Sequence, residues 1–163
     1  MALSDYRHFL ELADSQFETV QAEYASQFQC GKGCHSCCLP NLTVSSIERN
    51  NIKDFLLSNP ALLIALETQT SSQNNCTFLD PEGLCQIYSV RPFVCRSHGA
   101  PIAVSEGEHF LVDVCQLNFK EQDIVELSPE HFFVLDEWNS CLRSYGGGED
   151  ERYPLTPKGI LGK

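Results

Sequence analysis

Apolar residues recur near the start of the chain at alternating steps of three and four: Leu3, Tyr6, Leu10, Ala13, Phe17, Val20 and Tyr24. One such stripe predicts a single amphipathic helix over residues 4–28. The stripe can serve as a seam for a partner helix or pack on the chain's own core. Its aromatic content and its length of only three heptads favour core packing. Farther on, Ser45 is followed three residues later by Glu48. This is a capping-box pattern, and it opens a second helix with Ile47, Ile52, Phe55 and Leu56 on its apolar face. Asn59-Pro60 ends that helix and begins another through Leu66, with proline at the tolerated first position. Residues 68–75 (TQTSSQNN) are uniformly polar and read as an exposed loop.

The pattern then turns strand-like. Cys76 to Leu79 and Leu84 to Ile87 flank the turn residues Asp80-Pro81-Glu82-Gly83, which predicts a short hairpin. A second hairpin is expected over residues 103–114, turning at Glu106-Gly107-Glu108. Ser128-Pro129-Glu130 opens an expected C-terminal helix to about Tyr145, carrying Phe132, Leu135, Trp138 and Leu142, and Gly146-Gly147-Gly148 stops it. Residues 146–163 show little periodicity; this tail is either loose or draped over the core. The fold class is therefore α+β: a small single domain over residues 1–163, with a long N-terminal helix, short β-hairpins and a C-terminal helix.

Composition narrows the function classes. At 163 residues, 42% apolar and 20% charged, the chain can bury one ordinary core. Its longest apolar run, residues 61–66, falls far short of the roughly 18 residues that would cross a bilayer. Asp5, Arg7, His8 and Glu11 interrupt the N-terminus, so no secretory leader is expected and the expected location is cytoplasmic, where thiols stay reduced. The net charge is −11, and the 11 lysines and arginines form no basic stripe. Nucleic acid and anionic membrane surfaces are therefore not expected partners.

The remaining oddity is nine cysteines, at 30, 34, 37, 38, 76, 85, 95, 115 and 141, four of them within CGKGCHSCC. A disulfide framework fits poorly. The count is odd, the expected compartment is reducing, and adjacent Cys37 and Cys38 cannot bridge each other without severe strain. Burial as small hydrophobes suits Cys141, alone in a predicted helix among apolar neighbours. It does not suit the first four, because Gly31 and Gly33 break the helix that would line them up.

Metal ligation has a direct cause. Zinc, or the iron of an iron–sulfur cluster, takes sulfur at about 2.3 Å in tetrahedral array, and a spacing such as Cys34-x-x-Cys37 lets one turn deliver two thiolates. Cys76, Cys85, Cys95 and Cys115 would supply the rest. With Cys141 set aside, eight cysteines suffice for two four-thiolate sites or for a shared cluster. Lys32, Arg91 and Arg96 either offset the thiolate charge or are solvated surface. His35 and His98 are the nearest imidazoles, and each stands as a ligand or as a supporting residue. No phosphate-binding glycine loop and no zinc-protease helix is present, so the residues alone name no enzyme.

The combination CGKGCHSCC and CTFLDPEGLCQIYSVRPFVCR resembles the YkgJ-type cysteine-cluster family, the CxxCxxCC zinc- or iron-chelating domain. The matching elements are Cys30, Cys34, Cys37 and Cys38; then Cys76, Phe78, Leu79, Gly83, Cys85, Ile87 and Tyr88; then Arg91, Pro92, Cys95 and Arg96; with Cys115 downstream. They span a motif core of residues 30–115. The resemblance implies a bacterial metal-binding protein using those eight cysteines. It leaves open an iron–sulfur-dependent oxidoreductase or a methyltransferase-like enzyme. The segment Ser97-His98-Gly99-Ala100-Pro101 has no counterpart in the family pattern.

Overall fold

The computed structural model describes residues 3–31, 33–69, 74–146 and 151–162. Lys32, residues 70–73 of the polar loop, and Gly147-Gly148 lie outside the described residues. In chain order the elements are α1 (Leu3–Glu23), β1 (Thr43–Val44), α2 (Ser46–Leu57), α3 (Pro60–Thr68), α4 (Phe93–Ser97) and β2 (Ile102–Glu106). They continue with β3 (His109–Asp113), β4 (Phe133–Val134), α5 (Leu135–Tyr145), β5 (Tyr153–Pro154) and α6 (Pro157–Leu161). This is an α+β chain, and its elements fall into two compact units. None of the described helices is long and apolar enough to cross a membrane.

The first unit comprises Met1–Gly31 and Phe93–Tyr145. The predicted stripe of α1 is its spine: Tyr6, Leu10, Ala13 and Val20 are buried, together with Phe9 beside them. The Phe9 ring meets Phe93, Trp138 and Tyr145 at centroid separations of 5.4, 5.1 and 5.6 Å. Phe93 also stacks on Trp138 at 14°. Each such pair adds roughly 1 kcal/mol beyond the apolar area it buries, so this ring cluster fixes α1 against α4 and α5. Arg96 of α4 is buried and paired with Asp14 of α1, so it is not solvated surface.

Helix α1 stops five residues short of the predicted end. Tyr24 leaves helical backbone (φ −111°, ψ 36°) and a 3-10 turn, Ala25–Gln27, follows. Tyr24 is engaged elsewhere: its ring packs on Phe119 and its hydroxyl lies 3.1 Å from His131 Nδ1. The 103–114 hairpin forms as expected from β2 and β3, with Gly107 in the left-handed region (φ +62°) that a two-residue turn requires.

The predicted helix from Pro129 does not run through. Pro129–His131 make only a 3-10 turn; Phe133–Val134 then extend as β4, parallel to β2 with Ile102 opposite Phe133. Only Leu135–Tyr145 are α-helical. A β-branched and an aromatic residue at 133–134 are good strand formers. Pairing also buries Phe133 completely, while its N–H donates to Pro101 O at 2.9 Å.

The second unit comprises Lys32–Pro92 and Gly146–Lys163. Its capping box is present: Glu48 Oε2 accepts from Ser45 N at 2.8 Å and from Ser45 Oγ at 2.9 Å. Ile47, Ile52 and Leu56 are buried on one face of α2, and Pro60 opens α3 at the first position. The described part of the tail, residues 151–162, is not loose. β5 pairs antiparallel with β1, Ile160 of α6 is fully buried, and Arg49 Nε of α2 donates to the carbonyls of Gly159 (3.2 Å) and Ile160 (3.0 Å).

The predicted hairpin at 76–87 shrinks to one bridge, Leu79 with Cys85. Its turn is as expected. Asp80 N donates to Leu84 O (2.9 Å), Leu84 N donates to Asp80 Oδ1 (2.7 Å), and Gly83 has φ +78°. The ladder does not lengthen because the groups of the next rung are bonded elsewhere, Cys76 O to Leu79 N (3.2 Å) and Tyr88 N to Cys85 O (3.3 Å), and the chain coils into a 3-10 turn at Tyr88–Val90.

Candidate metal centre

None of the nine cysteines is in a disulfide. In the second unit, Gly33 (φ +88°) starts a tight turn closed by Cys38 N donating to His35 O and Leu39 N donating to Cys37 O, both at 2.9 Å. This turn carries Cys34, Cys37 and Cys38, and the bond from Cys76 N to Cys38 O ties it to the segment that bears Cys76 and Cys85. Cys34 is exposed, while the other four are half-buried. Gly83 is required where it stands, because a Cβ there would run into the His35 ring. His35 Nδ1 lies 3.0 Å from Gly33 O. A carbonyl can only accept, so Nδ1 carries the proton and Nε2 is the ring's basic atom. His98 is exposed in the first unit.

The environment of Cys76 and Cys85 is mixed. Burial pushes the Cys76 thiol pKa up, and donation from the Phe78 backbone N–H opposes that rise. Burial raises Cys85 as well. The Ile87 backbone N–H and the Arg91 charge work against it, whereas Cys76 and Asp80 add to it. In both cases an amide two residues ahead donates to the sulfur, the kind of bond that favours a thiolate. Arg91, whose guanidinium sits 3.7 Å over the Tyr88 ring, therefore does bear on a cysteine, as one of the sequence readings had it. A cleft of about 350 Å³ opens beside Cys76, lined by His35, Thr77, Asp80 and Glu82 among others.

In the first unit, Cys30 Sγ and Cys115 Sγ are 3.4 Å apart. Two sulfurs on one tetrahedral zinc stand about 3.8 Å apart, whereas a disulfide brings them to about 2.05 Å. The pair thus has nearly the spacing of one edge of a four-thiolate site. Phe119, at φ +51°, donates its N–H to Gln27 O at 2.9 Å, and its ring packs on Phe28 at 5.4 Å. Those contacts lace the loop of Cys115 to the segment that leads into Cys30. Cys95 is half-buried in α4, between Phe93 and Arg96.

The eight predicted ligand positions thus divide as follows. Cys30, Cys95 and Cys115 belong to the first unit, and Cys34, Cys37, Cys38, Cys76 and Cys85 to the second. Among the described residues, no three His, Cys, Asp or Glu side chains are gathered so as to hold an ion by themselves. Cys141 is not the buried hydrophobe expected. It is exposed on α5, 3.7 Å from the Tyr145 hydroxyl, and its neighbour Leu142 takes the core position. Sequence reasoning passed over Asn118, buried at 3% exposure beside the Cys30–Cys115 pair. A lone asparagine three residues after a cysteine gives no signal of that kind.

A family model matches residues 29–116, more than half of the chain; it is the CxxCxxCC family, described as "putative zinc- or iron-chelating domain". The chain belongs to this family. The CxxCxxCC match takes in all eight cysteines from Cys30 to Cys115 and ends before Cys141. That boundary agrees with the exposed, isolated place of Cys141 on α5. The metal chemistry attached to the CxxCxxCC family is zinc or iron chelation, and its name is its cysteine spacing. Among curated proteins and among solved structures, none matches the chain.

Proposed function

We propose that this CxxCxxCC protein binds zinc or iron as thiolate complexes of Cys30, Cys34, Cys37, Cys38, Cys76, Cys85, Cys95 and Cys115, and that residues 1–163 work as one metal-binding domain. The observation that carries the reading is the 3.4 Å approach of Cys30 and Cys115 across 85 positions of sequence. Two uncharged thiols gain little from meeting, whereas a soft cation rewards that spacing strongly. Backbone donation to Cys76 and Cys85 favours the same chemistry, because it offsets part of the cost that burial sets on a sulfur anion there.

When bound, the metal supplies a cross-link between distant parts of the chain; in small zinc domains such a clasp is worth on the order of 10 kcal/mol. The chain's own residues set the turn at Gly33, hold Cys38 to Cys76 through the backbone, and keep Cys30 beside Cys115. A reducing, cytoplasmic location keeps those thiols available.

Elemental analysis of protein purified without oxygen tests the reading. A colourless protein with about two zinc ions per chain would mean closed thiolate sites. A brown protein absorbing near 400 nm would mean an iron–sulfur cluster. Protein that contains neither metal, yet unfolds cooperatively with every sulfhydryl titratable, overturns it.

A further inference from the structure

Asn118 uses both ends of its side-chain carboxamide beside the cysteines. Its Oδ1 accepts from Gln29 N at 2.8 Å and from Cys30 N at 3.1 Å, and its Nδ2 donates to Gly99 O at 2.7 Å. The orientation of the carboxamide is fixed by these partners. A flipped amide would set its NH2 against two N–H groups and its oxygen against a carbonyl. The backbone of Asn118 in turn donates to Cys115 O at 2.8 Å. One residue therefore grips both sulfur-bearing segments: Cys115 through its main chain and Cys30 through its side chain.

We infer that Asn118 is the positioning residue that holds Cys30 and Cys115 as a preformed pair of metal ligands. Burying a carboxamide is costly unless its bonds are made, and here three are made, each to backbone rather than to another side chain. Backbone targets fix where the chain runs, so the Cα of Cys30 is placed before any ion arrives. Gly99, with φ +100°, brings its carbonyl in to complete the grip, and the Asn118 amide lies against the space a Cβ would fill there. This gives a role to a segment that the family pattern left without one. The inference rests on the metal reading for its consequence, but the holding of the two sulfurs can be read without metal.

The experiment uses the full-length chain, reduced and stripped of metal with a chelator. Diamide is added, and the Cys30–Cys115 disulfide is quantified by peptide mapping, the two thiols giving up two hydrogens to the oxidant. Zinc affinity is measured on a separate, unoxidised sample by competition with a chromophoric chelator. Asn118→Ala is expected to slow formation of that disulfide by about tenfold or more and to weaken zinc binding by roughly 10- to 100-fold. Asn118→Asp keeps an acceptor for both amides but sets an oxygen against the Gly99 carbonyl, so it should also cross-link more slowly than the parent, and it serves if the alanine variant does not fold. Phe133→Leu, which loosens the same unit away from the pair, should cross-link like the parent.

Equal cross-linking by parent and Asn118→Ala overturns the inference. So does slowing by Phe133→Leu as large as that by Asn118→Ala, because the effect would then be general loosening; so does Asn118→Asp as fast as the parent. If the parent takes up no zinc or iron but the cross-linking contrast persists, the proposed function fails and the positioning role stands.

Discussion

Cys30 Sγ lies 3.4 Å from Cys115 Sγ, although 85 positions separate them in the chain. Cys30→Ser or Cys115→Ser should therefore lower bound metal and thermal stability together. The loss in zinc affinity should exceed the roughly 100-fold that removal of a supporting hydrogen bond costs. Cys141→Ala should keep the parent's metal content, since Cys141 is exposed on α5 and lies outside the family match. Metal-to-protein ratios of the three variants decide the matter, and equal loss in Cys141→Ala would sink the division of cysteines.

The carboxylate of Glu48 closes the N-terminus of α2 by accepting two bonds from Ser45 while 2% exposed. Glu48→Ala leaves those donors without their acceptor inside the second unit. The expected cost is about 1–2 kcal/mol, read as a lower urea midpoint at unchanged slope. Unchanged stability would mean that water replaces the carboxylate without penalty.

Gly159 of α6 is needed for lack of a side chain. A Cβ there would collide with the Pro154 carbonyl of β5, which lies directly against it. Gly159→Ala should push α6 off β5 and cost roughly 1–3 kcal/mol by overpacking. Faster amide exchange at Ile160 and Gly162, whose N–H groups bond within this tail, and at Leu155, whose N–H donates to Leu42 O, is the specific signature.

Asp136 and Ser105 give a pH signature. Donation from the Ser105 backbone N–H, at 2.7 Å, holds the Asp136 carboxyl below its ordinary value of 3.8. A carboxyl depressed in the folded state adds stability that is complete above 3.8 and fades as pH falls toward the lower folded value. Parent and Asp136→Asn should therefore differ in melting temperature at neutral pH and converge in strong acid. A constant difference across that range would contradict the link.

Much of this protein is written locally. The α1 stripe, the Ser45–Glu48 box, Pro60 at the head of α3 and the Gly107 turn each depend on residues a few positions apart, so spacing alone specifies them. The eight-cysteine pattern and its metal chemistry are legible for a similar reason: ligand type and short spacing are properties of the chain itself. Tertiary structure decided the rest. Phe133 and Val134 become a strand only because β2 offers a parallel edge, Tyr24 leaves the helix to meet Phe119 and His131, and the residue 151–162 segment is fixed by β1 and Arg49. Asn118 could not be picked out beforehand, since its side-chain partners lie 19 to 89 residues away. Hydrogen bonds and packing across such separations depend on where the folded chain places its segments, and local propensity carries no record of that.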